Sequence, residues 1–138
     1  MHAKHSVLSA TIISWLLSQV FGNFLFHAHS ISAHHCNGGA LPRTHYLSTI
    51  ANVAGPTTDF LLGEFRLPDG RIAMFVHNQD TEHTTYASMS FRNCSLSSVT
   101  EVDRQTGAEN IVEDDSPRLP GLTLAIEAGA GRLLVVPS

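Results

Sequence analysis

Phe60-Leu61-Leu62-Gly63-Glu64-Phe65-Arg66-Leu67-Pro68-Asp69-Gly70-Arg71-Ile72-Ala73-Met74-Phe75-Val76-His77 reads as two strands around a tight turn. In the first, residues 60–67, the period-2 pattern sets Leu61, Gly63, Phe65 and Leu67 on one face. Pro68-Asp69-Gly70 makes the turn, because proline presets φ and glycine accepts a positive φ. The second strand, residues 71–77, is apolar on both faces, with Ile72, Met74 and Val76 against Ala73 and Phe75. A strand without a polar face is expected at the centre of a sheet covered on both sides.

The same alternation continues downstream, and no stretch sustains a 3.6-residue period over three turns. A third strand is expected at residues 84–91, with Ala87, Met89 and Phe91 opposite Tyr86, Ser88 and Ser90. A fourth covers 96–103 and turns at Gln105-Thr106-Gly107. A brief Ile111-Val112 run and an acidic loop at 113–120 precede strands at 122–128 and 132–136. Short antiparallel strands with short loops predict an all-β fold, a β-sandwich of six to seven strands. Ahead of it, Tyr46, Ile50 and Val53 recur at i, i+4 and i+7. This predicts a short docking helix over residues 44–53, capped by Thr44 and ended by Gly55-Pro56.

The chain has 138 residues, enough for one core and too few for a (β/α)₈ barrel, which takes about 250. Charged residues make up 14% against about 25% in an ordinary domain, and they are unevenly placed. Residues 1–44 carry Lys4 and Arg43, no acid and six of the nine histidines, while residues 45–138 have a formal balance of −6. A segment with that balance and no basic cluster excludes nucleic acid as an expected partner. An anionic membrane surface is disfavoured on the same ground.

Val7 to Phe26 is uncharged and rich in Leu, Ile and Phe, and it includes the sole tryptophan, Trp15. A weakly basic start, an apolar stretch and then small residues are the layout of a secretory leader. Ala28-His29-Ser30 and Ile31-Ser32-Ala33 offer cleavage junctions. At about 20 residues the run also suits a single membrane span. The expected organisation is residues 1–33 as signal peptide or membrane anchor forming a hydrophobic N-terminal helix, 34–58 as linker and the short docking helix, and 59–138 as the β-sandwich. The chain is therefore expected to be secreted or periplasmic, or else anchored by one uncleaved span. A further reading makes the leader an artefact of where the reading frame was started.

Cys36 and Cys94 are the only cysteines, and in an exported chain they can form one disulfide worth about 2–4 kcal/mol. Asn93-Cys94-Ser95 fits the glycosylation sequon. His27, His29, His34, His35 and Cys36 are imidazole and thiolate ligands suited to Zn or Cu. Their spacing matches no closed structural site, so no metal ligand and no cofactor is assigned, and a small exported metal-binding protein stands as a rival reading.

The order of pieces carries a resemblance. His45-Tyr46-Leu47-Ser48-Thr49-Ile50-Ala51-Asn52-Val53, Gly55-Pro56, Leu62-Gly63-Glu64-Phe65, Pro68-Asp69-Gly70-Arg71 and Val76-His77-Asn78 resemble the end of many TIM-barrel glycoside hydrolases. Val99 to Gly107 and Leu122 to Leu134 are similar to the closing strands of their carboxy-terminal antiparallel domain. The resemblance spans about residues 45–138. It implies a non-catalytic accessory β-sandwich, a truncated or remnant protein, whose apolar face packs on a catalytic barrel or another subunit. The family's catalytic carboxylates lie on the barrel, so no catalytic residue carries over.

Two polar groupings remain as candidate chemistry. Glycoside hydrolysis needs two carboxyl groups about 5–10 Å apart, one of them with a raised pKa. Glu101 and Asp103, at i and i+2 on one strand, stand roughly 7 Å apart, although nothing in their surroundings suggests burial. Asp80, Glu82 and His83, with Asn78, offer oxygen ligands for calcium but not the spacing of an EF-hand loop. As a stand-alone exported carbohydrate-binding module the chain would need exposed rings. Only Tyr86 in the sheet region and Tyr46 on the expected helix supply them, so a glycan is the less favoured partner.

Overall fold

A computed structural model describes residues 19–25, 27–36, 47–54, 60–92, 94–118 and 121–137. Among them, nine strands form two antiparallel sheets. β1 (His29–Cys36), β3 (Phe60–Arg66), β4 (Ile72–Asn78), β9 (Gly131–Val136), β6 (Thr100–Val102) and β7 (Glu109–Ile111) lie side by side in that order. β2 (Leu47–Ala54), β5 (Thr85–Phe91) and β8 (Leu122–Ile126) make the second sheet. One short helix, α1 (Gln19–Phe24), precedes β1.

The opening stretch is the β3–β4 hairpin, in register from Phe60↔Asn78 to Arg66↔Ile72. Its turn closes through Gly70 N–H to Leu67 C=O at 2.9 Å, with Gly70 at φ 91°. Asp69 accepts the Arg71 N–H at 3.0 Å. Arg71 then reaches past the chain's last strand to grip Glu109 with both terminal guanidinium nitrogens, at 2.5 and 2.9 Å. All of β4 is buried, as its two apolar faces require.

Those faces look into two different cores. Phe60, Leu62, Ile72, Met74, Val76, Leu134 and Val136 pack inward against Ala87, Met89, Leu122, Leu124 and Ile126 of the second sheet. Leu61, Phe65, Ala73, Phe75, Leu133 and Val135 pack outward with Phe21 and Leu25 of the α1 segment. The architecture is thus helix segment, six-stranded sheet, three-stranded sheet. The acidic loop also has a job: Asp114 and Asp115 accept the N–H groups of Thr123 and Ala125, at 3.2 and 2.9 Å, along β8.

Four expectations change. The docking helix over 44–53 is replaced by β2, which pairs with β5 from Leu47↔Phe91 to Ala54↔Tyr86. Thr49, Ile50 and Val53 are β-branched and favour a strand, and a non-local partner outweighs a local i, i+4 pattern. Thr44, Tyr46 and Gly55-Pro56 lie outside the described residues. Residues 29–33, assigned to a leader, and 34–36, assigned to a linker, form β1 along the whole of β3. Uncharged sequence around Ile31 suits a strand as well as it suits a leader's end. The expected strand at 96–103 survives only as β6, because Leu96–Ser98 is a 3₁₀ turn with Ser95 Oγ accepting the Ser97 N–H. Serine hydroxyls compete in this way for backbone donors. Ile111 is the last residue of β7, with Val112 just beyond it, and β1, β2 and β7 bring the count above the expected six to seven. Val7 to Ser18, with Trp15, lies outside the described residues. Among those described, no helix is long and apolar enough to cross a membrane.

Candidate functional site

The site grows from a gap in the six-stranded sheet. β6 pairs with β9 only at Thr100↔Val135 and Glu101↔Leu134, whereas β9 runs back to Gly131 beside His77 of β4. Where β6 turns away, a cavity of about 370 Å³ opens. That is within the range of small-molecule sites, about 300–1,000 Å³. Phe21, Val102, Ile111 and Ala130 supply its apolar lining, and Glu101, Asp103, Arg104, Gln105, Asn110, Glu127 and Arg132 its polar groups.

Sequence reasoning placed Glu101 and Asp103 together, and both do line this cavity. It missed Arg132, which organises one wall. Arg132 Nε donates to Glu101 Oε2 at 2.7 Å, Nη2 to Glu101 Oε1, and Nη1 to the Ala125 carbonyl at 3.1 Å. Asp115 stands 3.6 Å from Nη1. Burial disfavours the guanidinium charge, but the hydrogen bonds and charge of Glu101, with the charge of Asp115, hold the Arg132 pKa above its ordinary value. The available signal was one cation opening an otherwise apolar strand, Arg132-Leu133-Leu134-Val135-Val136.

Asp103 works locally. Its Oδ1 accepts the N–H groups of Gln105 and Thr106, at 2.7 and 3.0 Å, and these hold its carboxyl below the usual range. That is the opposite of the raised pKa a glycosidic general acid needs. Arg104, Gln105, Asn110 and Glu127 present side-chain polar groups to the cavity with no partner among the described residues.

The Asn78–His83 grouping is a loop clamp. Asn78 is fully buried, donating to the carbonyls of His83 and Ile126 at 2.9 and 3.1 Å and accepting the Asp80 N–H at 3.0 Å. Asp80 Oδ1 accepts the N–H groups of Glu82 and His83. Among the described residues no group of three metal-ligating side chains gathers. His27 and His29 are exposed, and the side chains of His34, His35 and Cys36 lie outside the described residues. So does Asn93. Cys94 carries a free thiol packed against the inner core, and burial pushes its pKa up. Tyr86 is exposed on the outer face of the second sheet.

His77 packs against the outward core. It stacks on Phe75 with ring centroids 6.1 Å apart, while Nε2 donates to Gly129 C=O at 3.1 Å and Nδ1 lies 3.0 Å from the Gln79 amide. Burial pushes its pKa below the ordinary 6.5. The unfolded chain therefore binds this proton more readily, so the stability His77 contributes is present above about pH 6.5 and is lost as pH falls toward the folded value. The lowered carboxyls of Asp80, Asp103 and Glu109 act the same way in a more acidic window, below about pH 4. Thermal melts across pH are expected to show two declines, the upper one absent in His77→Gln. One smooth decline shared by both proteins would refute the assignment.

Fold and site define the class: a mostly β chain of two antiparallel sheets with a polar cavity where one sheet splits. Comparison with protein-family models, with curated proteins and with solved structures returns no match to this chain.

Proposed function

We propose that the chain is a non-catalytic β-sandwich module that works by packing and binding, in the manner of the carboxy-terminal accessory domain of a glycoside hydrolase. The observation that carries this reading is the employment of the cavity carboxylates. Both oxygens of Glu101 engage Arg132, and Asp103 caps a turn with its carboxyl held low. A pair so occupied supplies neither a protonated acid nor a free nucleophile. The uncharged, leader-like segment within residues 1–33 adds export, secreted or periplasmic, to the same reading, with a barrel or another subunit as the packing partner.

A second reading, glycan binding, draws on the unpartnered amides of Gln105 and Asn110 beside Phe21 and on the exposed Tyr86 ring. One panel separates the readings. The purified chain is incubated with aryl glycosides and immobilised polysaccharides, and neither turnover nor retention is expected. Retention lost in Tyr86→Ala or Gln105→Ala favours the binding module. Turnover abolished by Glu101→Gln or Asp103→Asn sinks the non-catalytic assignment.

A further inference from the structure

We infer that residues 19–25 and 27–36 are a permanent part of the folded domain, so that any proteolytic maturation of this chain cuts on the amino-terminal side of Gln19. The two junctions with leader-like spacing, after Ser30 and after Ala33, both fall inside β1. Upstream of them, Leu25 N–H bonds Phe21 C=O at 3.0 Å and Ala28 N–H bonds Leu25 C=O at 2.9 Å, carrying the chain from α1 straight into that strand.

The segment fills the outward core. Phe21 is 1% exposed and meets the Phe75 ring edge-on, with centroids 6.1 Å apart at 76°. Leu25 and Ala33 are buried in the same cluster with Leu61, Phe65 and Leu133. β1 pairs antiparallel with β3 from His29↔Arg66 to Cys36↔Phe60, with one bulge between Ser30 and Ser32. Ser32 Oγ donates to Glu64 Oε1 at 2.6 Å, and that carboxylate is 1% exposed.

A leader peptidase meets the chain before it folds, so the fold does not shield the junctions. The constraint acts through the product. A chain beginning at Ile31 lacks Phe21 and Leu25 and uncovers the ring of Phe75. One beginning at His34 also lacks Ala33 and the Ser32 hydroxyl that donates to Glu64. Both would present an apolar face, which marks a chain for association or loss.

Two measurements on the full chain test this, and they part from the export reading, on which only the second rests. By native-state hydrogen exchange, the β1 amides bonded to β3 are expected to exchange at least about a thousandfold more slowly than an unstructured peptide, alongside those of β4. Exchange at the unstructured rate overturns the inference. Expressed in a secreting host, the folded product is expected by intact mass to begin at or before Gln19. A folded, monomeric product beginning at Ile31 or His34 overturns it. If the chain is not exported at all, the export reading falls and the exchange result decides the inference.

Discussion

Gly131→Ala is expected to lower the melting temperature more than any surface change, although it adds one methyl group. A Cβ built there stands 2.2 Å from Phe75 Cζ, 2.7 Å from Cε1 and 3.0 Å from Cε2. Carbon atoms pack at about 3.5–4.0 Å, so the ring has to move by more than an ångström. It has nowhere to go, since Phe21 meets it edge-on, His77 stacks on it and it is wholly buried. Overpacking of this severity belongs at the top of the ordinary range, about 3 kcal/mol. In a chain of this size that is roughly 10 °C. The cause is testable by a double-mutant cycle: Phe75→Leu shortens the clashing group, so Gly131→Ala placed on that background should cost clearly less than it does alone. Equal costs on both backgrounds would mean that the ring is not the obstacle.

Arg132→Met is expected to cost about 2 kcal/mol, between the worth of an exposed bridge and the cost of breaking a fully buried ion pair. The side chains of Arg132 and Glu101 are 24% and 23% exposed, so the pair is sheltered more than a surface bridge worth about 0–1 kcal/mol. Methionine replaces the stem's packing but leaves Glu101 facing the cavity without its fork of donors and the Ala125 carbonyl without Nη1. Lysine should not rescue it, because a single ammonium cannot span both carboxylate oxygens and the carbonyl. Adding Glu101→Gln removes the stranded charge, so the double variant should recover part of the loss in denaturant titrations. Complete additivity of the two single changes would show that the pair contributes no coupling. Because Arg132 and Glu101 form one wall of the cavity, the same variants report whether any retained ligand depends on its shape.

The hairpin at 60–77 was legible because each local choice agreed with the final structure. Alternation, Pro68-Asp69-Gly70 and a strand apolar on both faces all pointed one way, and the register and burial of β3 and β4 follow them. β2 was misread because Tyr46, Ile50 and Val53 fit a helical stripe, while the strand's support comes from Phe91 to Tyr86, more than thirty positions away. β1 was not legible as a strand for a related reason: an uncharged, small-residue segment satisfies a leader's requirements and a strand's equally. At the site, the proximity of Glu101 and Asp103 followed from strand geometry alone. Their employment did not, because Arg132 lies thirty-one residues beyond Glu101 and only folding brings them together.

Alternation and turn chemistry thus determined by themselves a mostly β chain and its central strand. These are properties of period and composition, which need no partner. Tertiary structure alone decided that 29–36 and 47–54 are strands, that Gly131 must lack a side chain, and that Glu101 is an ion-pair partner. Each depends on a group distant in sequence, and the contact energy that selects it exists only once the sheets have closed on one another.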